Sequence, residues 1–256
     1  KIINREEVDD IDLATNITPD EVCDALNKHQ IKFFESGKEH GTITAVINEK
    51  NYEITSLRKD VATDGRHAKV EFTSDWKEDS KRRDFTINAI YLSKKGKLFD
   101  PQNGVNDLNN NVVKFIGDPQ TRIEEDFLRI IRFIRFTIQY DSSIEYTTLQ
   151  AIKLKLNGIK NLSKERILSE LFKILKLENF FNIIDNKELL EIFRLIFPEF
   201  KNINRFKNFK FLKNHIENSV TFLLAILLVD LQGNHEYFSH KYKVSNKIRE
   251  NLNLIG

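Results

Sequence analysis

Apolar positions alternate with polar ones over the first ~120 residues, in short β-branched runs separated by polar turns, and this period of two predicts strands. The runs are IDLAT (11–15), GTITAVI (41–47), YEITSL (52–57), AIYLS (89–93) and VVKFI (112–116). Residues 48–51 read as a hairpin turn, and residues 94–97, with Gly96, as a second turn before KLFD. TPDEVCDALNKH (18–29) carries a helix start, with Thr18 placed to cap and Pro19 in the first turn. Residues 59–81 are rich in charge and poor in apolar positions, which predicts a loop. After Pro119 the period becomes helical. Ile123, Phe127, Ile130, Ile134 and Ile138 recur at three and four, predicting one continuous helix. Ile167, Leu168, Leu171, Phe172 and Leu175 repeat the pattern behind Ser163 as cap, and further helices are expected near 187–197, 206–217 and 219–231. The reading is α+β: a small mixed-sheet domain over 1–122 and an all-helical domain over 123–256, the Asn- and Lys-rich stretch 201–208 serving as a linker.

A chain of 256 residues can bury a substantial core. Its longest apolar run, FLLAILLV (222–229), falls far short of the ~18 residues of a membrane span, so no membrane partner is expected. No secretory leader pattern opens the sequence, and the single cysteine, Cys23, excludes an internal disulfide framework and a cysteine-based zinc site. The expected compartment is the cytoplasm. Net charge is +2, but residues 1–122 hold three more acidic than basic residues and residues 123–256 five more basic than acidic. The asymmetry suits an acidic, metal-holding half and a basic half that grips a polyanion.

Three constellations carry candidate chemistry. Asp10 and Asp12 stand two apart in an extended run, which turns both carboxylates to one face, where they could hold Mg²⁺. Glu53 is a candidate third carboxylate if its strand lies beside the first. Arg82 and Arg83 can grip phosphate bidentately, and Asp84 and Asn88 can bond a sugar hydroxyl. Asp126 and Arg129, at i and i+3 with Arg122 and Arg132 a turn either side, could read a base edge. Cytosine and adenine each show an amine beside an unprotonated ring nitrogen, so a carboxylate acceptor with an arginine donor would take C and A and reject G and U. On residues alone, a solvated D-x-D, a surface ion-pair cluster and an intrahelical salt bridge are the competing readings.

The wording and order of DDIDLAT (9–15), RRDFTINAI (82–90), GDPQTRIEEDFLRIIRFIRF (117–136) and SKERILSELFKIL (163–175) resemble the class II tRNA nucleotidyltransferase and bacterial poly(A) polymerase family, of the polymerase-β-like superfamily. The resemblance covers most of residues 8–176. It implies a nucleotidyltransferase head followed by a helical neck and body, acting without a template on a tRNA or other RNA 3′ end with CTP, ATP and Mg²⁺. Asp10 and Asp12 become metal ligands and catalytic groups, with Glu53 beside them. Arg82, Arg83, Asp84, Asn88 and Arg132 become nucleotide contacts, Asp126 and Arg129 the pair that selects C or A, and Glu165 and Arg166 a brace for the neck. CCA addition is the leading expectation. Poly(A) addition, partial CC or A addition, and a catalytically inactive RNA-binding remnant are the alternatives. The family's Gly-Gly-x-Val-Arg-Asp phosphate loop lies upstream of D-x-D, yet none of the nine residues before Asp10 matches it and the sequence holds no methionine. The sequence is therefore expected to be a piece of a longer protein.

Overall fold

The computed structural model describes residues 11–63, 68–209, 219–230 and 232–255. It is α+β, and its two compact units are Lys1–Asp84 with Asn88–Gly104, and Phe85–Ile87 with Val105–Gly256. The boundary expected at 122/123 thus falls inside the second unit.

The first unit is built on a four-stranded mixed sheet in the order β1-β4-β3-β2. Strand β1 (Leu13–Thr15) runs parallel to β4 (Lys50–Ser56), with Leu13 opposite Ile54, while β3 (Thr42–Ile47) pairs antiparallel with both β4 and β2 (Lys32–Gly37). Asn48 and Glu49 both take left-handed backbone between β3 and β4, the geometry whose twist matches a tight hairpin. Helix α1 (Pro19–Lys28) starts in a complete capping box between Thr18 and Glu21 and lays Val22, Cys23 and Leu26 over Ile43 and Ala45. Strand alternation therefore leaves Thr42, Thr44, Glu53 and Thr55 on the opposite face, where the Thr42 and Thr55 hydroxyls are 3.1 Å apart.

The segment expected to be a loop, 59–81, instead forms a ribbon of β5 (Arg58–Thr63) and β6 (Ala68–Phe72), followed by α2 (Trp76–Lys81). Its charges are part of the pairing: Lys59 stands opposite Glu71 with the ammonium 3.0 Å from the carboxylate. A two-residue hairpin, β7 (Tyr91–Leu92) and β8 (Leu98–Phe99), turns through Gly96 at φ +77°.

The second unit is helical: α3 (Gly104–Asn109), whose first residue belongs to the first unit, α4 (Pro119–Glu125), α5 (Leu128–Gln139), α6 (Tyr146–Lys155), α7 (Lys164–Leu175), α8 (Lys187–Ile196), α9 (Phe206–Phe209), α10 (Val220–Leu228), α11 (Asn234–Tyr242) and α12 (Asn246–Ile255). The run 112–116 is not a strand there; it makes only isolated bridges, Phe85 to Phe115 and Val112 to Ser143. Of the helix expected over 206–217, α9 covers the first turn and 210–218 lie outside the described residues. One apolar core runs through the unit, with Phe85 packed 4.8 Å from Phe115 and 5.5 Å from Phe136 between ring centres. The continuous helix expected through 126 is broken. Asp126 is extended, at φ −156° and ψ 107°, between α4 and α5. Among the described residues no helix is long and apolar enough to cross a membrane.

Candidate nucleotide-binding and catalytic site

In the first unit, Asp12 immediately precedes β1. Continued one residue back, the parallel register that sets Leu13 against Ile54 sets Asp12 against Glu53, on the face away from α1. Both side chains are exposed, and among the described residues neither carboxylate has an ion-pair or hydrogen-bond partner. Carboxylates are the hard oxygen donors a divalent cation takes, but among the described residues no group of three or more potential metal ligands comes together. Asp10, the other expected ligand, lies outside the described residues.

Arg82 and Arg83 are organised by Asp79, which the sequence reading did not single out. Asp79 is fully buried in α2. Its Oδ1 accepts from Arg82 Nε at 2.9 Å and from the Arg58 backbone N–H at 3.1 Å. Its Oδ2 accepts from Arg83 at 3.3 Å and from the Tyr91 hydroxyl at 2.7 Å. Burial alone would disfavour the charged carboxylate, but Arg82 and Arg83, helped by the Tyr91 and Arg58 bonds, hold its carboxyl below the usual range. Burial and the Asp79 bond together push the Tyr91 phenol up. Tyr91 also stands edge-on to Trp76 and under the Arg83 guanidinium. Asp84 accepts from the Asn88 amide at 3.0 Å, so the two expected sugar contacts are tied to each other. The i, i+3, i+4 spacing of Asp79, Arg82 and Arg83 was the available signal for the hub.

In the second unit Asp126 and Arg129 are brought close in sequence but not paired. Asp126 Oδ1 accepts from the Leu128 N–H at 3.1 Å, and Oδ2 is 2.6 Å from an Arg166 terminal nitrogen. Arg129 donates to Glu125 at 2.5 Å and to the Arg122 carbonyl at 2.7 Å, while Arg122 reaches the same Glu125 oxygen. The expectation of two side chains on one helical face is corrected: the break aims Asp126 by its extended backbone, and Glu125 aims Arg129. Arg166, from the segment expected to brace the neck, is what holds Asp126. Arg132 lies further along α5 near the buried Glu170.

The chain matches the family described as "Poly A polymerase head domain" over residues 1–114, and "Probable RNA and SrmB- binding site of polymerase A" over 143–204. It is 46% identical over 178 residues to a human protein named CCA tRNA nucleotidyltransferase 1, mitochondrial, covering 68% of this chain and 41% of that one. It is 36% identical over 247 residues to the Staphylococcus epidermidis CCA-adding enzyme, covering 96% of this chain and 59% of that one. The chain thus spans about half the length of these relatives. In fold it resembles the Bacillus stearothermophilus CCA-adding enzyme in complex with CTP, with a TM-score of 0.77 at 24% identity over 97% of this chain and 60% of that one. It also resembles a tRNA nucleotidyltransferase complexed with a primer tRNA and an incoming ATP analogue, with a TM-score of 0.75 at 22% identity over 99% and 77%.

Proposed function

We propose that this chain, which belongs to the class II CCA-adding enzyme family, is the head and nucleotide-selecting part of an enzyme that adds C, C and A to the 3′ end of tRNA. The tRNA 3′-hydroxyl would attack the α-phosphate of CTP or ATP, forming the new phosphodiester as the bond to pyrophosphate breaks. The observation that carries this reading is the buried Asp79, whose carboxylate holds two adjacent arginines together, and paired guanidiniums suit a polyphosphate. Arg82 and Arg83 would bind the triphosphate and Asp84 and Asn88 the ribose.

Asp10, Asp12 and Glu53 would hold Mg²⁺. When bound, such ions favour ionisation of the attacking hydroxyl and neutralise charge on the leaving pyrophosphate. Asp126 would accept from the exocyclic amine of C or A and Arg129 donate to the ring nitrogen beside it, with Arg132 as a further nucleotide contact. A matched pair of this kind discriminates by ~1–3 kcal/mol. We place the protein in the cytoplasm, the compartment that its single cysteine suits.

Addition of A alone is a second reading, favoured by the poly(A) polymerase description of the head match. One experiment separates them: the full-length protein is given tRNA ending before CCA, with each nucleotide singly and together. CCA addition requires C incorporation from CTP followed by one A from ATP. Long A tracts from ATP alone, on tRNA or other RNA, would replace it with the second reading, and no incorporation under any combination would overturn both.

A further inference from the structure

On α7, Glu170 is almost wholly buried, and three cations converge on its carboxylate. Arg135 donates from Nε to Oε2 at 2.8 Å, the Lys173 ammonium reaches Oε1 at 2.8 Å, and an Arg132 terminal nitrogen lies 3.8 Å from Oε1. Arg135 and Lys173 bring two positive charges to the one negative charge of Glu170, so these three side chains together keep one positive charge. Both guanidiniums lie over the Phe136 ring, at 4.1 Å for Arg135 and 5.6 Å for Arg132, which orients them and leaves their charge intact. Arg135 commits its inner nitrogen to Glu170. Its two terminal nitrogens have no partner among the described residues and are not sealed from solvent. Lys173 is half exposed.

A planar donor fork and a mobile ammonium, both fixed from beneath by a buried carboxylate, match a phosphate group. We propose that Arg135 and Lys173, held by Glu170 beside Arg132, form a phosphodiester-binding site for the backbone of the bound RNA. It includes neither Arg82 nor Arg83, which are assigned to the triphosphate. The inference rests on the reading that the protein binds RNA, and Glu170 acts in it as a positioning residue.

The test uses the full-length protein, a tRNA lacking its terminal CCA, and the Lys173→Gln and Arg135→Gln variants, with Lys173→Arg as the charge-keeping control. RNA affinity is measured across a salt series, with KM for CTP and ATP alongside. Each neutral variant should bind RNA several-fold more weakly, with the slope of log K against log salt reduced by about one, because one phosphate contact is lost. KM for the nucleotides should not move, and Lys173→Arg should bind as the parent does. Unchanged RNA affinity and slope in Lys173→Gln, which sits at the surface and leaves the core intact, would overturn the site while leaving the proposed function standing. A raised nucleotide KM with unchanged RNA binding would reassign the site to the triphosphate and overturn it too. No RNA binding by the parent protein would overturn both.

Discussion

Asp126 is held by Arg166 at 2.6 Å, forty positions along the chain, and not by its near neighbour Arg129, which turns to Glu125 at 2.5 Å. The acceptor and donor assigned to base reading are therefore aimed by two different supports. Arg166→Ala in the full-length protein should cost selectivity more than stability. The pair is partly exposed, and such pairs contribute about 0–1 kcal/mol, whereas a mis-aimed acceptor forfeits most of a matched base contact. Discrimination of CTP and ATP over GTP and UTP should fall roughly tenfold, read as kcat/KM for the four nucleotides beside a melting curve. Full discrimination in a well-folded variant would remove Asp126 from the role.

Asp79→Asn should be far more damaging to the fold, because it puts a neutral amide at the buried position that Arg82 and Arg83 both pair with. Breaking a buried pair from one side costs about 3–5 kcal/mol. The pH dependence has a definite sign. The folded carboxyl of Asp79 is depressed, so its stabilisation is complete above the unfolded value near 4 and is lost as pH falls through the lower folded value. Glu170, where burial opposes but Lys173 and Arg135 prevail, is depressed as well and adds to the same acid limb. Urea midpoints from pH 6 to pH 3 should therefore fall steeply in the parent and less steeply in Asp79→Asn. Parallel curves would mean that Asp79 does not hold a depressed value in the folded protein.

Gly158 is a position where a single methyl group has nowhere to go. A Cβ there would stand 2.0 Å from the Phe127 ring. Gly158→Ala should cost about 1–3 kcal/mol through forced repacking. Phe127 directly follows Asp126, so the displaced ring should also lower kcat/KM for CTP and ATP beyond what the melting shift accounts for. An unchanged melting temperature would show that the ring moves aside freely.

Asp12→Ala and Glu53→Ala should each reduce incorporation to near background while RNA affinity stays at the parent level, since both carboxylates are assigned to metal and chemistry. Rate and affinity measured on the same preparations decide it. Parent-level turnover in Asp12→Ala would dismiss the metal assignment.

Features determined within a few residues were legible in the sequence. Thr18 and Pro19 start α1 and Ser163 starts α7, because a cap needs only its own turn. The β3 to β4 hairpin was legible for the same reason. The break at Asp126 was not, because Ile123, Phe127 and Ile130 keep an unbroken apolar period across it and the interruption costs the buried face nothing. The β5 and β6 ribbon was hidden because its pairing uses charges such as Lys59 and Glu71, whose composition is also that of a loop. Of the site, the arginine pair was visible and its support was not. Asp79 looks like one more acid in a charged helix until its burial is known, and Arg132 and Arg135 reach Glu170 from another helix.

Phe85, Ile87, Val113 and Phe115 belong to the helical unit's core, although the chain reaches Phe85 and Ile87 from within the sheet-bearing unit. The consequence concerns dissection. A fragment running from 123 to the end would lack Phe85, Val113 and Phe115, and would leave Phe133 and Phe136 facing a void. A fragment ending at 122 would carry those same aromatic side chains into water without their partners. No single cut of the chain yields either half intact, and the helical half should become folded in isolation only when a peptide containing 85–115 is returned to it.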